Sequence, residues 1–339
     1  MPTARTAAGV GAAAAAVALP LLLSGPYHRH VLVLAGLFVL MALGFDLVLG
    51  YLGELSLGHA AFFGLGAYAV ALWFQHHSIH SGYEPFWMLP LVGLLGAALG
   101  LPIAAIAMRT RADVFAIVTI TLLFVAQTLA FNLRSITEGA QGLAIGPAPF
   151  AVRTFERPFY YVLLGLLAVT MGLTLASMRS KIGLSLASVR GDEDKARGIG
   201  VRVTGVKLLA FSVSVGLTAM VGGIWAYYEG FIYPQFAIDP LITIAIVLMT
   251  FLGGRATLWG PVLGALILEI AQQWFAYSFG GSKFYLIAYA LVFLVVMLLL
   301  PRGIVPSIED WMRRRRRRQS VDSVEPTLAA SRSLAKGSV

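Results

Sequence analysis

YLGELSLGHAAFFGLGAY, the stretch from Tyr51 to Tyr68, decides the fold of this chain, because it places small residues and two potentially charged side chains inside a strongly apolar protein. Glycines at positions 53, 58, 64 and 66 leave the backbone open to close approach. Membrane helices use small residues in this way, so that a neighbouring helix or a passing solute can come near. The stretch therefore predicts a path through a membrane.

Composition places the chain in a membrane before any motif is considered. Of its 339 residues, 58% are hydrophobic and only 12% are charged, and the mean hydropathy is +0.82. A soluble core cannot hide so much apolar surface. Apolar stretches of roughly 20 residues recur, which is the length that a helix needs to cross a hydrocarbon layer about 30 Å thick. We predict an all-α polytopic membrane protein with neither a metal site nor a cofactor, and the chain has no cysteine.

The apolar stretches predict about ten transmembrane helices. They lie at 7–24, 31–49, 58–74, 87–108, 113–131, 160–178, 207–227, 237–252, 258–275 and 284–300. The third, eighth and ninth are short and rich in glycine, so broken or re-entrant helices that line a path are predicted there. The first has an alternative interpretation as a signal peptide, because Arg5 precedes an Ala-rich apolar run that ends at Ser24 and Gly25.

Basic residues set the orientation. If the N-terminus and the long loop 179–207 are cytoplasmic, five of the 25 Lys and Arg residues fall on the opposite side. These five are Arg29, Arg134, Arg153, Arg157 and Lys283. An even number of spans also returns the Arg-rich run 313–318 to the cytoplasm. Both termini are therefore predicted to be cytoplasmic.

Two regions are predicted along the chain. Residues 1–303 form the transmembrane domain, with the loop 179–207 on its cytoplasmic side. Residues 304–339 form a basic tail that is low in apolar residues, and we predict that it is cytoplasmic and disordered. The net charge of +9 does not indicate nucleic acid binding, because cytoplasmic loops of membrane proteins are basic by default.

Soluble-enzyme motifs are missing from the sequence, which contains no GxxxxGK[ST], HExxH or GxSxG. The chain is therefore predicted to be a transport subunit without its own ATPase site. Uphill transport would need either an ion gradient or a separate ATPase. Ion coupling would use intramembrane acids or histidine. The candidates are Asp46, Glu54, His59, Glu229, Asp239 and Glu269.

ATPase coupling would instead use the loop 179–207. A short helix is predicted there, because Asp192, Glu193 and Asp194 suit a helix N-terminus and Gly198 or Gly200 suits its end. The loop can be interpreted as a docking helix or as an ordinary solvated loop.

A possible internal repeat relates two segments that are 200 residues apart. Leu52-Gly53 and Gly64 correspond in sequence to Leu252-Gly253 and Gly264, and the aromatic Tyr51 corresponds to Phe251. Transporters are often built from two repeated halves, whose glycine-interrupted segments meet at the substrate path. Four matched positions leave both a true repeat and chance open.

Six segments together carry a resemblance to a known family. In chain order they are DLVLGYLGELSLGHAAFFGLGAY from Asp46, RADVFAIVTI from Arg111, TEGAQGL from Thr137, the loop 179–207, LGGRATLWGPVLGA from Leu252, and PRG from Pro301. They resemble the LivM-type permease subunit of the branched-chain amino acid ABC transporter family. The sequence departs from the family pattern at Asp46, which is usually Asn, and at Lys195, which is usually Ala.

The resemblance implies two sets of site residues. ATPase coupling is assigned to the family's variant of the EAA motif, here Arg190, Glu193, Ala196, Gly200 and Lys207. The translocation path is assigned to Gly53, Ser56, Gly58, His59, Gly64, Gly253, Gly254, Gly260 and Pro261.

The function implied by the resemblance is that of a membrane permease subunit of an ATP-driven importer, working by alternating access in a bacterial-type inner membrane. Its expected partners are a second permease, homologous or identical, two ABC ATPase subunits, an extracytoplasmic solute-binding protein and the lipid bilayer. The solute could be a branched-chain amino acid, another amino acid or a small amide such as urea. The alternative is an ion-coupled secondary transporter or channel for a small polar solute.

Overall fold

The computed structural model describes residues 16–22, 25–107, 112–278, 303–308 and 310–312, with single positions at 291, 294 and 298. Besides a helical segment at 16–22, the principal helices are α1 (Pro26–Asp46), α2 (His59–His76), α3 (Glu84–Ala107), α4 (Ala112–Asn132), α5 (Glu156–Met178), α6 (Lys181–Gly191), α7 (Glu193–Gly198), α8 (Val203–Glu229), α9 (Pro240–Gly253) and α10 (Gly260–Ser278). Single helical turns lie at Arg134–Thr137 and Pro234–Ala237, and two short strands are β1 (Leu143–Ala144) and β2 (Phe231–Ile232).

The prediction of an all-α polytopic membrane protein is confirmed, but the count of about ten spans is not. Helices α1 to α5 and α8 to α10 coincide with the second to ninth predicted spans. Within the described part of the chain, six segments are long and apolar enough to cross a membrane, and α2 and α10 are not among them. Most of the predicted first span and nearly all of the tenth lie outside the described residues.

Helices α1 and α8 form the centre of the bundle. Their apolar windows are 72% and 67% buried, against 22% for α4 and for the segment that contains α5. Helix α8 packs against α3 through small residues, because Cβ atoms added at Gly93, Gly96 and Gly100 would contact Met220, Ala219 and Val215 of α8. Small residues let membrane helices approach closely, and here they bring α3 and α8 together.

Both segments of the possible repeat are helix breaks. Helix α1 continues as a π-helical segment, Leu47–Leu52, and ends at Gly53 with a φ of +89°. Residues 54–58 are not helical, and α2 begins at His59. In the same way α9 ends at Gly253, and α10 begins after the loop 254–259. Non-helical backbone is tolerated within a membrane protein where protein surrounds it, and Glu54, Ser56 and Gly254 of the two breaks are buried.

The two ends of α8 contact different parts of the fold. The hairpin of α6 and α7 lies at its N-terminal end. At its C-terminal end, β2 pairs antiparallel with β1, with Leu143 opposite Ile232 and Ala144 opposite Phe231. This pairing connects the segment that follows α4 to the segment that follows α8.

The predicted boundary of the tail at residue 303 lies at the start of a helical turn. Residues 304–308 are helical, Gly303 has a φ of +85°, and the Ser307 hydroxyl donates to the Gly303 carbonyl over 2.7 Å. A Cβ on Gly303 would overlap the backbone of Gly254, so this turn packs closely on the loop after α9. Of the predicted disordered tail beyond residue 308, only 310–312 lie within the described residues, and they are helical.

Candidate functional site

The hairpin of α6 and α7 has its own local stabilisation. The Ser180 hydroxyl accepts a hydrogen bond from Ile182 N–H at the start of α6. At the start of α7, the Asp192 carboxylate accepts the N–H groups of Asp194 and Lys195 at 3.0 and 3.1 Å. The bond from Lys195 N–H lowers the pKa of the Asp192 carboxyl. Capping satisfies the free N–H groups of a helix start, so the predicted short helix is confirmed as Glu193–Gly198.

A buried ion-pair cluster connects this hairpin to the bundle. The Lys207 ammonium, on the first turns of α8, donates to Glu54 Oε1 over 2.6 Å and also pairs with Glu193 Oε1 of α7. Lys207 is 3% exposed and Glu54 is 5% exposed. A single ammonium group at the start of α8 therefore connects the break after α1 to the start of α7.

The other predicted coupling residues lie around this cluster in different environments. Ala196 is buried in an apolar cluster with Leu186 and Val189 of α6. Arg190 is exposed, and its Cγ would lie 3.1 Å from a Cβ on Gly53. Gly200 has a φ of +86°, and no atom of the described residues lies within 4 Å of an added Cβ, so its backbone conformation is what requires glycine.

The start of α2, within the predicted path, receives side chains from three other helices. Leu57 N–H donates to the Thr119 hydroxyl at 2.9 Å, and Ala60 N–H donates to the Thr243 hydroxyl at 2.9 Å. His59 Nε2 lies 2.8 Å from Ser214 Oγ. Gly58, the residue before α2, provides no side-chain cap. Hydroxyl groups of α4 and α9 therefore satisfy N–H groups that a helix start leaves free.

The glycines of the predicted path are sites of close packing. A Cβ on Gly58 would lie 2.7 Å from the Thr119 carbonyl oxygen, and a Cβ on Gly64 would overlap Ile238. Added Cβ atoms on Gly253 and Gly260 would overlap backbone oxygens of the α9–α10 break. Of the nine predicted path residues, eight are buried and Gly53 is exposed.

Asp46 connects the two helix breaks of the possible repeat. Its Oδ1 atom accepts the N–H of Ala256 over 2.9 Å, and the residue is fully buried. Ala256 has a φ of +59°, which is uncommon for a residue with a side chain. Gly50 leaves the space for this contact, because a Cβ there would overlap both Asp46 Oδ1 and Ala256 N.

Replacing this acceptor is expected to destabilise the fold. Asp46→Leu leaves the Ala256 N–H without its acceptor, so we expect a loss of about 1–3 kcal/mol in the free energy of unfolding. Asp46→Asn keeps an oxygen acceptor and is expected to lose much less. Thermal unfolding of the purified protein in detergent compares the two, and an equal loss for both variants would contradict this account.

A cavity of about 490 Å³ lies at the other end of α8. Its walls come from α1, α2, α8, α9 and the segment 231–236, and they include Phe38, Phe63, Trp225 and Phe236. Glu229, at the last residue of α8, is the only charged residue among the described residues that line it. None of the nine predicted path residues lines this cavity.

The path residues and the cavity are nevertheless adjacent. Gly64 follows Phe63 directly and packs against Ala237 and Ile238, beside the turn that carries Phe236. A Cβ on Gly222 of α8 would overlap the Phe63 carbonyl oxygen. These glycines let the aromatic wall come close to α8 without lining the cavity themselves.

Sequence reasoning missed the cavity and the partners of the α2 start. No local sequence pattern identifies the partners of the α2 start, which are Thr119, Ser214 and Thr243, because a single hydroxyl side chain in an apolar span is common. Glu229 was a candidate only for ion coupling, and an acid at the end of a span beside aromatic residues is the signal that could have indicated a binding site.

Comparison with known proteins gives one family. The family model described as branched-chain amino acid transport system / permease component matches residues 28–300. The permease protein LivM of the high-affinity branched-chain amino acid transport system of Salmonella typhimurium is 27% identical over 300 residues, which cover 80% of this chain and 68% of that protein. LivM of Escherichia coli is 26% identical over 300 residues, which again cover 80% of this chain and 68% of that protein. LivH of Escherichia coli is 24% identical over 298 residues, 81% of this chain and 94% of that protein. No solved structure gives a significant match.

Proposed function

Since this chain belongs to the family of branched-chain amino acid transport permeases, we propose that it is the inner-membrane permease subunit through which an ATP-driven importer moves branched-chain amino acids. The family membership is the observation that supports this function most strongly. The chain is similar to both LivM and LivH, which supports a homologous second permease as its partner. Two ABC ATPase subunits and an extracytoplasmic solute-binding protein complete the proposed complex.

The hairpin of α6 and α7 is proposed to receive force from an ATPase subunit. Helix α7 is short, capped by Asp192, and largely exposed except for Ala196. Its first residue, Glu193, pairs with the buried Lys207 at the start of α8. A displacement of α7 would therefore act on the long central helix α8 and, through Glu54, on the break after α1.

Helix α8 is proposed to carry this displacement across the membrane. Lys207 and Glu229 lie 22 residues apart on α8, which corresponds to roughly 33 Å along a helix. One end contacts the ion-pair cluster and the other end lines the cavity. We propose that the hairpin and both termini are cytoplasmic, and that the cavity opens toward the extracytoplasmic side.

The function is tested by isolation of the tagged protein from membranes and reconstitution into proteoliposomes. Co-purification of two ATPase subunits and a second permease, with leucine uptake that requires ATP, is the expected result. Recovery of this chain alone, with leucine uptake driven by an ion gradient, would instead support a secondary transporter.

One observation favours that alternative. Glu269 of α10 is 1% exposed, and its Oε1 accepts a hydrogen bond from Gln273 over 2.8 Å. Its Oε2 has no hydrogen-bond partner among the residues that the structure describes. Ionisable residues inside a membrane protein commonly serve transport, so the gradient-driven assay is a necessary part of the test.

Glu193→Gln is expected to uncouple transport from ATP hydrolysis. The amide removes the charge that pairs with Lys207, and hydrogen bonds to charged groups are the stronger ones. We expect ATP-driven leucine uptake to fall roughly fivefold or more, while ATP hydrolysis by the assembled complex continues. Both rates are measured on the same proteoliposomes.

The matched control is Asp194→Asn in the same helix. The Asp194 side chain is 93% exposed and pairs only with Arg197 at 3.8 Å within the described residues. It should retain uptake near that of the unmodified protein. Equal losses for both variants would assign coupling to the exposed surface of α7 and contradict the role of the Lys207 pair.

A further inference from the structure

The lining of the cavity at the end of α8 has a specific chemical character. Aromatic rings form most of its wall, and they pack on one another, with the Phe63 and Trp225 ring centroids 5.3 Å apart and those of Phe231 and Tyr233 4.5 Å apart. The remaining apolar surface comes from Leu34, Leu37 and Met41 of α1 and Ile242 of α9. Glu229 contributes the only charge among the described lining residues, and no hydrogen bond or ion pair to its carboxylate is recorded there, although His30 of α1 interacts with it electrostatically.

Such a lining fits a ligand that has an ammonium group attached to a hydrocarbon side chain. A carboxylate attracts an ammonium by charge, and the faces of Trp, Phe and Tyr rings attract cations as well. The aromatic and leucine surfaces would bury a hydrocarbon side chain. At about 490 Å³, the cavity falls within the size range of small-molecule sites, roughly 300–1,000 Å³.

The lining does not match two other ligand chemistries. No Lys, Arg or His lies among the described lining residues, so a ligand carboxylate would have no cation there. Urea and other small amides need several hydrogen-bond partners when they leave water. The lining offers them Glu229 and the Tyr233 hydroxyl as its polar side-chain groups.

We propose that this cavity is a solute site of the permease, which binds the ammonium group of an aliphatic amino acid at Glu229 and its side chain against Phe63 and Trp225. The solute carboxylate points toward the mouth of the cavity, where Glu229, Tyr233 and Phe236 are exposed. This inference rests on the proposed import function and names the solute class that the permease itself recognises.

Binding is tested on the full transporter complex, purified from membranes into nanodiscs and assayed without the soluble binding protein. The probe is radiolabelled leucine at millimolar concentration. Three competitors each carry a different part of the leucine molecule or none of it. Isoamylamine has the ammonium group and the branched hydrocarbon chain of leucine, and 4-methylpentanoate has the carboxylate and the same chain. Urea has no ammonium, carboxylate or hydrocarbon chain. We expect isoamylamine to displace leucine, and 4-methylpentanoate and urea to leave it bound. Displacement by 4-methylpentanoate alone, by urea, or by none of the three overturns the assignment.

Glu229→Gln then identifies the residue. The substitution removes the charge that would pair with the leucine ammonium. Because hydrogen bonds to charged groups contribute more free energy than neutral ones, we expect leucine affinity to fall about tenfold or more. The control Glu138→Gln removes an exposed carboxylate that accepts from Gln75 over 2.9 Å, and it should leave the affinity unchanged. An unchanged affinity in Glu229→Gln contradicts the site.

A separate readout distinguishes this inference from the proposed function. ATP-driven leucine accumulation by the unmodified complex tests the import function alone. If leucine accumulates but isoamylamine does not displace bound leucine selectively, the proposed site is wrong and the import function still holds. Absence of any ATP-driven accumulation overturns the importer.

Discussion

Lys207→Ala is expected to destabilise the protein by about 3–5 kcal/mol and to abolish ATP-driven uptake, because removing one member of a buried ion pair leaves its partner charge buried and unpaired. Lys207 is 3% exposed and pairs with both Glu54 and Glu193. The alanine variant would leave the buried Glu54 carboxylate without its ammonium partner, while Glu193, whose side chain is 38% exposed, keeps Arg197 at 3.7 Å. Protein yield, thermal unfolding in detergent and uptake in proteoliposomes measure the two effects.

A double variant separates stability from coupling. Glu54→Leu combined with Lys207→Met replaces the buried pair with apolar side chains, which is often neutral or stabilising. We expect stability to recover toward that of the unmodified protein, while uptake stays low because Glu193 of α7 no longer has its ammonium partner. Recovery of uptake together with stability would show that the cluster serves the fold alone.

Gly66→Ala is expected to disrupt the contact between α2 and the central helix α8. An added Cβ would overlap the backbone carbonyl of Ala219, and a backbone atom cannot rotate away as a flexible side chain can. Overpacking costs about 1–3 kcal/mol and occasionally more. We expect a lower melting temperature and a smaller fraction of monodisperse protein in size-exclusion chromatography.

The control for this substitution is Gly172→Ala on α5. No atom of the described residues lies within 4 Å of a Cβ added there. Alanine is a better helix former than glycine by about 0.5–1 kcal/mol, so this variant should be as stable as the unmodified protein or slightly more stable. Similar melting temperatures for the two variants would contradict the close-packing role of Gly66.

Local patterns in the sequence predicted much of the fold. Eight predicted spans coincide with helices, because apolar length is a property of each segment alone. The short helix after Asp192 was also predictable, since helix caps act within three or four residues. A Cβ added on Gly64 would overlap Ile238, which agrees with the expectation that small residues permit close approach.

The site was predictable only in part. Glu193 and Lys207 were assigned to one coupling motif, and the structure brings them together with Glu54. Glu54 was considered only as an ion-coupling candidate, because 153 residues separate it from Lys207. The predicted path residues pack the bundle, whereas the cavity has a different lining. Their role in transport stays a prediction.

The sequence by itself determined that this protein is a helical membrane protein, where its helices break and which loop carries a capped helix, because hydropathy, glycine and capping act over a few residues. The tertiary structure alone decided that Lys207 pairs with Glu54, that Asp46 contacts Ala256, and that α1, α2, α8, α9 and the segment 231–236 enclose a cavity around Glu229. These contacts join residues far apart in the chain. They depend on how whole helices pack, which no local pattern specifies.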